Sequence, residues 1–209
     1  MSGFVWVSKA IMDDRSVKKV TADITVNDAA RAIEAGRRYA AGQPLSADWF
    51  PEEIWADKGS GIRVALPALF YANGYWVVSA ECADVLRRFD LGQSALYPVR
   101  ALQSDRKTPL PGEYLCLSFG NVKWAFLGAE SREARQAEWS EELWKLPFVL
   151  KDDDLTVSAA ALDGPDLWVD PALLTAFFVS DRLARALKAA SVSQPFGLRR
   201  CRVISLDFS

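Results

Sequence analysis

Histidine is absent from the 209 residues, and that absence excludes more chemistry than any residue present suggests. Without imidazole there is no Ser-His-Asp or Cys-His nucleophile, no His-ligated zinc and no imidazole general base. A catalyst built on this chain has to use Asp, Glu, Lys, Tyr or Cys alone. The chain therefore reads as a non-enzyme, with no catalytic residue, metal site or cofactor assigned. Cysteine is scarce too: Cys82, Cys116 and Cys201 form no close pair and each sits in apolar sequence. Reduced, buried thiols in a cytoplasm are expected. No window approaches the roughly 18 apolar residues of a membrane span. The start, Met1 to Trp6, lacks the basic stretch and long apolar run of a secretory signal. A basic excess is also missing. With 25 Lys and Arg against 27 Asp and Glu, the balance argues against general nucleic-acid binding, because phosphate neutralisation needs a basic face.

What is present is an ordinary globular composition, half apolar and a quarter charged, in a chain long enough to bury a sizeable core. Its charges are unevenly spread. Asp152 to Asp181 holds seven aspartates and no Lys or Arg, whereas Arg182 to Arg202 holds six basic residues and no acid. The sequence also says one thing twice. Val77-Val78-Ser79-Ala80-Glu81-Cys82-Ala83-Asp84-Val85-Leu86-Arg87 returns as Phe178-Val179-Ser180-Asp181-Arg182-Leu183-Ala184-Arg185-Ala186-Leu187-Lys188, so that Ser79 and Ser180 stand 101 positions apart. After one inserted residue, Leu96 to Leu102 is matched by Leu198 to Ile204. Pro67-Ala68-Leu69-Phe70 gives a weaker match to Pro171-Ala172-Leu173-Leu174.

Each copy reads as strand, helix, loop, strand. Tyr75 to Val78 and Phe177 to Val179 are aromatic and β-branched runs. Ser79 and Ser180 then stand at the N-cap, each with an acid in the first helical turn, Glu81 and Asp181, to meet the helix dipole. Cys82, Val85, Leu86 and Phe89 fall at i, i+3, i+4 and i+7, and Leu183, Ala186, Leu187 and Ala190 repeat the spacing. Upstream, Asn27 is an N-cap for a helix through Ala41, stopped by Gly42. Between the copies, Gly120-Asn121 separates two apolar runs as a hairpin turn would, and Glu130 to Leu146 has helical spacing of Trp139, Leu143 and Trp144. The expectation is an α+β fold with a mixed sheet, two related strand-helix-strand units, and a central hairpin plus helix. Residues 1–60 are expected as an irregular section packed on the core of a duplicated domain over 61–209, in one structural domain.

Candidate sites are few. A hydrolase elbow at Ser79 or Ser180 needs flanking glycines and a histidine that the chain lacks, so both serines are assigned to helix caps. Gly59-Ser60-Gly61 lacks the lysine and spacing of a phosphate loop. Asp152-Asp153-Asp154 lacks the spaced ligands of a calcium loop and reads as a solvated acidic turn. Trp168 lies among Asp163, Asp166 and turn residues; most tryptophans are core, but an aromatic inside a charged rim is also a hot-spot arrangement at interfaces.

The run Asp166 to Pro171 leading into Phe178 to Lys188, together with Trp76-Val77-Val78-Ser79, Leu86, Tyr97 and Pro98, resembles the eleventh immunity-protein family of bacterial polymorphic toxin systems, formerly a domain of unknown function. The resemblance covers roughly Gly61 to Ile204. It implies a cytoplasmic protein that binds and neutralises a cognate toxin without catalysis, and it carries no active residues over. A basic toxin would be met by an acidic surface, so Asp152, Asp153, Asp154, Asp163, Asp166 and Trp168 are the expected contacts, with no nucleic acid or membrane as partner. Two other readings stay open. One is a histidine-free enzyme using carboxylates or a Cys or Lys nucleophile in a cleft between the repeats; the other is a structural or regulatory subunit.

Overall fold

The computed structural model describes residues 3–14, 16–62 and 64–205. The described residues form an α+β fold. Strands β1 (Val5–Val7), β2 (Val17–Lys18) and β3 (Val20–Ala22) precede helices α1 (Asp23–Asn27) and α2 (Ala29–Ala40). Then come β4 (Glu53–Ala56), β5 (Leu69–Ala72), β6 (Tyr75–Ser79), α3 (Ala80–Leu86), β7 (Ala95–Leu102) and β8 (Tyr114–Ser118). The second half contributes β9 (Arg135–Ala137), β10 (Ser140–Lys145), β11 (Thr156–Ser158), β12 (Leu167–Trp168), β13 (Phe178–Ser180), α4 (Asp181–Ala189) and β14 (Arg199–Ile204).

Two mixed sheets hold all the strands but β9 and β10, which pair with each other alone, in the orders β2-β5-β6-β8-β7-β4-β3 and β11-β14-β1-β13-β12. Their centres correspond strand for strand. In the first, β6 and β7 are each antiparallel to β8, with β5 antiparallel outside β6 and β4 parallel outside β7. In the second, β13 and β14 are each antiparallel to β1, with β12 antiparallel outside β13 and β11 parallel outside β14. The counterpart of β5 is thus β12. Pro171 to Leu174, the sequence match for Pro67 to Phe70, instead bridges to β10 through Leu173.

Both helices begin as their capping residues dictate. Ser79 Oγ accepts from Cys82 N at 3.3 Å and Ser180 Oγ from Leu183 N at 3.2 Å, each satisfying an amide with no intrahelical partner. Their apolar stripes meet: α3 and α4 touch, and Cys82, Val85, Leu86, Leu183 and Leu187 join the main core with both sheets. Helix α2 is capped by Asp28, one residue beyond the expected Asn27, and Gly42 ends it at a φ of 66°. There Val122 and Val169 side chains would lie within 2.7 Å of any Cβ. Tyr39 on α2 donates its hydroxyl to Leu117 O and accepts from Trp76 N, holding the helix on the sheet.

Residues 1–60 contribute to both sheets: β1 is the middle strand of the second, and β3 and β4 close one side of the first. Two expectations are corrected. The turn Gly120-Asn121 forms no hairpin. Gly120 lies against the Gln93 backbone, which a Cβ would meet at 2.1 Å, and the chain after Asn121 crosses to the second sheet, bridging Val122 to Val169 and Phe126 to Val157. The tight hairpin sits at Asn73-Gly74, between β5 and β6, where both residues take positive φ. Finally, Glu130 to Leu146 is the hairpin β9–β10, not a helix. Trp144 explains it: its amide donates to Ala172 O, its carbonyl accepts from Leu174 N, and its indole fills the space left by Gly128. Tertiary pairing outweighs helical spacing there.

A second, smaller core lies on the other face of the second sheet, where Val5, Val7, Trp168, Phe178 and Cys201 meet Ala125, Leu146 and Leu155. The alternation in β1 feeds both cores: Val5 and Val7 face this one and Trp6 the main one. A proline at the centre of β1 tests that dependence. Trp6→Pro should destabilise the whole protein by about 3 kcal/mol or more in a urea melt; a loss below about 1 kcal/mol would show that β1 is dispensable to the sheet.

Candidate partner-binding surface

The acidic segment of the sequence does not form an acidic face. Asp153 sits at a φ of 66° in the turn before β11, its carboxylate paired with Arg200 (Nε–Oδ1 3.0 Å) and its amide donating to Arg200 O at 2.8 Å. The Arg200 guanidinium, with Arg132 and Arg202 nearby, lowers its pKa below the usual carboxylate range. Asp152 accepts from Arg200 N and Asp154 from Lys151 N, at 2.9 and 2.8 Å. Asp152 and Asp163 are exposed, whereas Asp154 is half-buried.

Asp166 and Trp168 lie inside. Asp166 is buried and accepts from Ser180 Oγ, from Arg182 Nε at 2.5 Å and from Asp90 N at 2.9 Å. Trp168 is 0% exposed, stacked on Phe178 at 5.7 Å, with Lys123 Nζ 3.6 Å from its ring centroid. The expected surface anchor is therefore a core residue, and the expected surface carboxylate a buried acceptor. Both follow from β12, a strand with two buried faces. The same short strand-turn composition fits a rim or an interior, and only the pairing with β13 decides.

Lys123 is the most displaced basic group. Burial lowers its pKa to about 8, opposed in part by Asp166, Asp163 and Asp90, and its Nζ donates to Ala161 O at 3.1 Å. The thiols are inert: burial pushes Cys82 up to about 12 and Cys116 and Cys201 higher still. Burial also raises Asp170, although the amides of Phe126, Ala125 and Ala172 donate to it. Among the described residues no group of three or more Cys, Asp or Glu is placed to hold a metal ion, and no helix is long and apolar enough to cross a membrane.

Three aromatics that are given no site role from sequence reach furthest into solvent. Trp124, Trp139 and Phe148 are 74%, 68% and 85% exposed. Trp139 sits in the β9–β10 turn with Lys145 Nζ 4.1 Å from its ring centroid, and Phe148 follows that hairpin. A run of acids around Trp139, Glu138 with Glu141 and Glu142, was the available signal.

Two grooves lie at matching places in the two units. One, of about 640 Å³, runs beside α4 and is lined by Asp181, Ala184, Arg185 and Lys188 together with Phe4 and Trp6. The other, of about 540 Å³, runs beside α3 and is lined by Ala80, Asp84 and Arg87, each 101 positions before its counterpart, and by Arg100 and Glu113. A smaller apolar cleft of about 130 Å³ between α2 and the 169–176 segment has no carboxylate in its lining. The family model for the immunity protein family Imm11 matches residues 12–202. The chain belongs to that family. The match begins well before Gly61, so most of the first sixty residues belong to the Imm11 unit, in keeping with their place in both sheets. No curated protein matches the chain.

Two outcomes test this geometry. Ser79→Ala should cost about 1 kcal/mol for a lost cap, and Ser180→Ala about 2 to 3 kcal/mol, because it also strips a donor from buried Asp166; equal losses in denaturant melts would contradict the network. Folded Lys123 releases its proton near pH 8, the unfolded side chain near 10.5, so between these values the unfolded state binds more protons. Stability should rise with pH across that window. Lys123→Met should flatten the rise when both proteins are melted at a series of pH values, and parallel profiles would refute the assignment.

Proposed function

We propose that this protein binds and neutralises a cognate bacterial toxin in the cytoplasm, as part of a polymorphic toxin system, and does so by occlusion rather than by chemistry. Membership of the Imm11 family carries the reading. The side chains support it: a chain without histidine has its three thiols buried and protonated, and Asp166 and Asp170 occupied by structural donors. A carboxylate or lysine enzyme would show convergent ionisable groups in a cleft. The apolar cleft between the units has no carboxylate, lysine or thiol in its lining, and in the α4 groove Asp181 is tied to Trp6 Nε1 at 3.0 Å and to Arg185.

The contact surface follows the exposed groups. Trp124 and Trp139 take the anchoring part assigned from sequence to Trp168, since a large aromatic gives binding energy only where a partner can bury it. Asp152 and Asp163 remain the contacts from the acidic segment, meeting basic residues of the toxin; Asp153 and Asp154 hold the turn that presents Asp152. The two units are read as products of an internal duplication, on their matching strand order and 101-residue sequence offset.

Co-expression decides the central point. A toxin domain is expected in the reading frame beside this gene; cells producing it should survive when the chain is present, and the two proteins should co-purify, whereas death of the co-expressing cells would refute the proposal. Reversing the exposed carboxylates, Asp152→Lys with Asp163→Lys, should slow association by about tenfold and flatten its dependence on salt, measured by surface-immobilised binding kinetics.

A further inference from the structure

The groove beside α4 differs from its counterpart beside α3 in a way the shared architecture does not explain. In the α3 groove the cations are matched: Arg87 pairs with Asp84 at 2.9 Å and Arg100 pairs with Glu53. The α4 groove carries Lys9, Arg185, Lys188 and Arg199 against Asp13 and Asp181. Arg185 is held by Asp181, while Lys9 and Lys188 make no ion pair among the described residues. Arg199 donates to the carbonyls of Leu150 and Leu198, which leaves its charge without a facing carboxylate. Phe4 and the half-buried Trp6 add aromatic surface to this basic lining.

We infer that the α4 groove receives an acidic segment of the partner protein, with carboxylates on Lys9 and Lys188 and an apolar side chain against Phe4 and Trp6. This rests on the toxin-binding reading above and adds the chemistry of the docked segment. Charge complementarity selects the occupant. Cations without internal partners favour carboxylates, and exposed aromatic surface favours a polypeptide that supplies apolar side chains between its acids. A nucleic-acid strand fits less well, since the groove's cation excess is small and the chain is acidic as a whole, with a pI near 5.3. Asp152 stands close by, bonded to the backbone of Arg200, whose guanidinium lies 5.2 Å from the Phe4 ring. Opposite signs side by side fix the register of a partner that carries the reverse pattern.

The matched positions supply their own control. Binding of the full-length protein to a catalytically inactive form of the toxin domain expected beside its gene is measured for wild type, for Lys9→Glu with Lys188→Glu, and for Arg87→Glu, the position equivalent to Lys188 in the first unit. The double variant should bind at least about tenfold more weakly, and Arg87→Glu should stay within about twofold of wild type. Lys9→Gln with Lys188→Gln, which removes charge without reversing it, should show a smaller loss in the same direction and serves if the reversal disturbs folding. Unchanged binding in both lysine variants overturns this inference alone. Wild-type protein that fails to bind the toxin domain overturns the toxin-binding reading beneath it. An oligonucleotide that binds the wild-type groove and competes with the toxin domain would reassign the site to polyphosphate and also overturn it.

Discussion

The second sheet depends on one pairing between the two ends of the chain. Strands β13 and β14 run parallel and are separated by the width of one strand, so neither can satisfy the other's inner backbone groups. β1 fills that slot, setting Val5 against Ser180 and Cys201, Trp6 against Val179 and Arg200, and Val7 against Phe178 and Arg199. Without it two rows of amides and carbonyls would face a protein interior unpaired, which buried backbone does not tolerate. Closing so long a loop adds little to the equilibrium cost, because closure entropy grows only with the logarithm of length. Its effect is kinetic instead: contacts of this sequence separation form late and slowly. The second unit, with Phe4 and Trp6 lining its groove, is therefore assembled only when the chain's first strand has met its last.

Buried polar groups then set how the two units sit. Asn121 donates to Leu91 O, Ser94 Oγ and Leu167 O and accepts from Gln93 N, so a single amide joins the loop after α3 to β12. Asp166 makes the reciprocal link, taking Asp90 N from the first unit and Ser180 Oγ and Arg182 Nε from the second. Gly92 is forced by the same junction, since a Cβ there would lie 2.3 Å from Asn121 Oδ1 and 2.8 Å from Pro165. Apolar packing alone would let the sheets slide on one another. Directional bonds whose loss leaves a buried partner unsatisfied remove that freedom.

The local signals of the sequence were legible because they rest on short-range physics. Both serine caps, both apolar stripes and the strands flanking them lie within a residue or two of their expected places, since a cap needs only its own helix and a stripe only its period. The α+β class follows from them. What was not legible was decided by partners distant in sequence. Trp139, Leu143 and Trp144 have helical spacing, yet the backbone of Trp144 is claimed by residues 172–174. Asn121 looked like a turn residue and is a cross-link. Residues 5–7 are too few to announce a central strand, and nothing local says that their neighbours lie 170 positions or more away.

The candidate surface shows the same limit in its charges. Seven aspartates without a cation between them read as an acidic patch only if sequence neighbours stay spatial neighbours. Folding instead lays β14, part of the basic run that follows, beside β11. Arg200 then neutralises Asp153, Arg182 neutralises Asp166, and Arg185 holds Asp181. The acid and the base blocks of the sequence largely consume each other. What survives at the surface is Asp152 and Asp163 from the acidic block on one side and, on the other, Lys188 from the basic block, joined by Lys9 from the start of the chain. A partner senses this remainder, because an ion pair already closed within the protein presents little net field beyond a Debye length. Recognition is thus written in the charges that the fold fails to match, and those are identifiable only after the two blocks have been brought together.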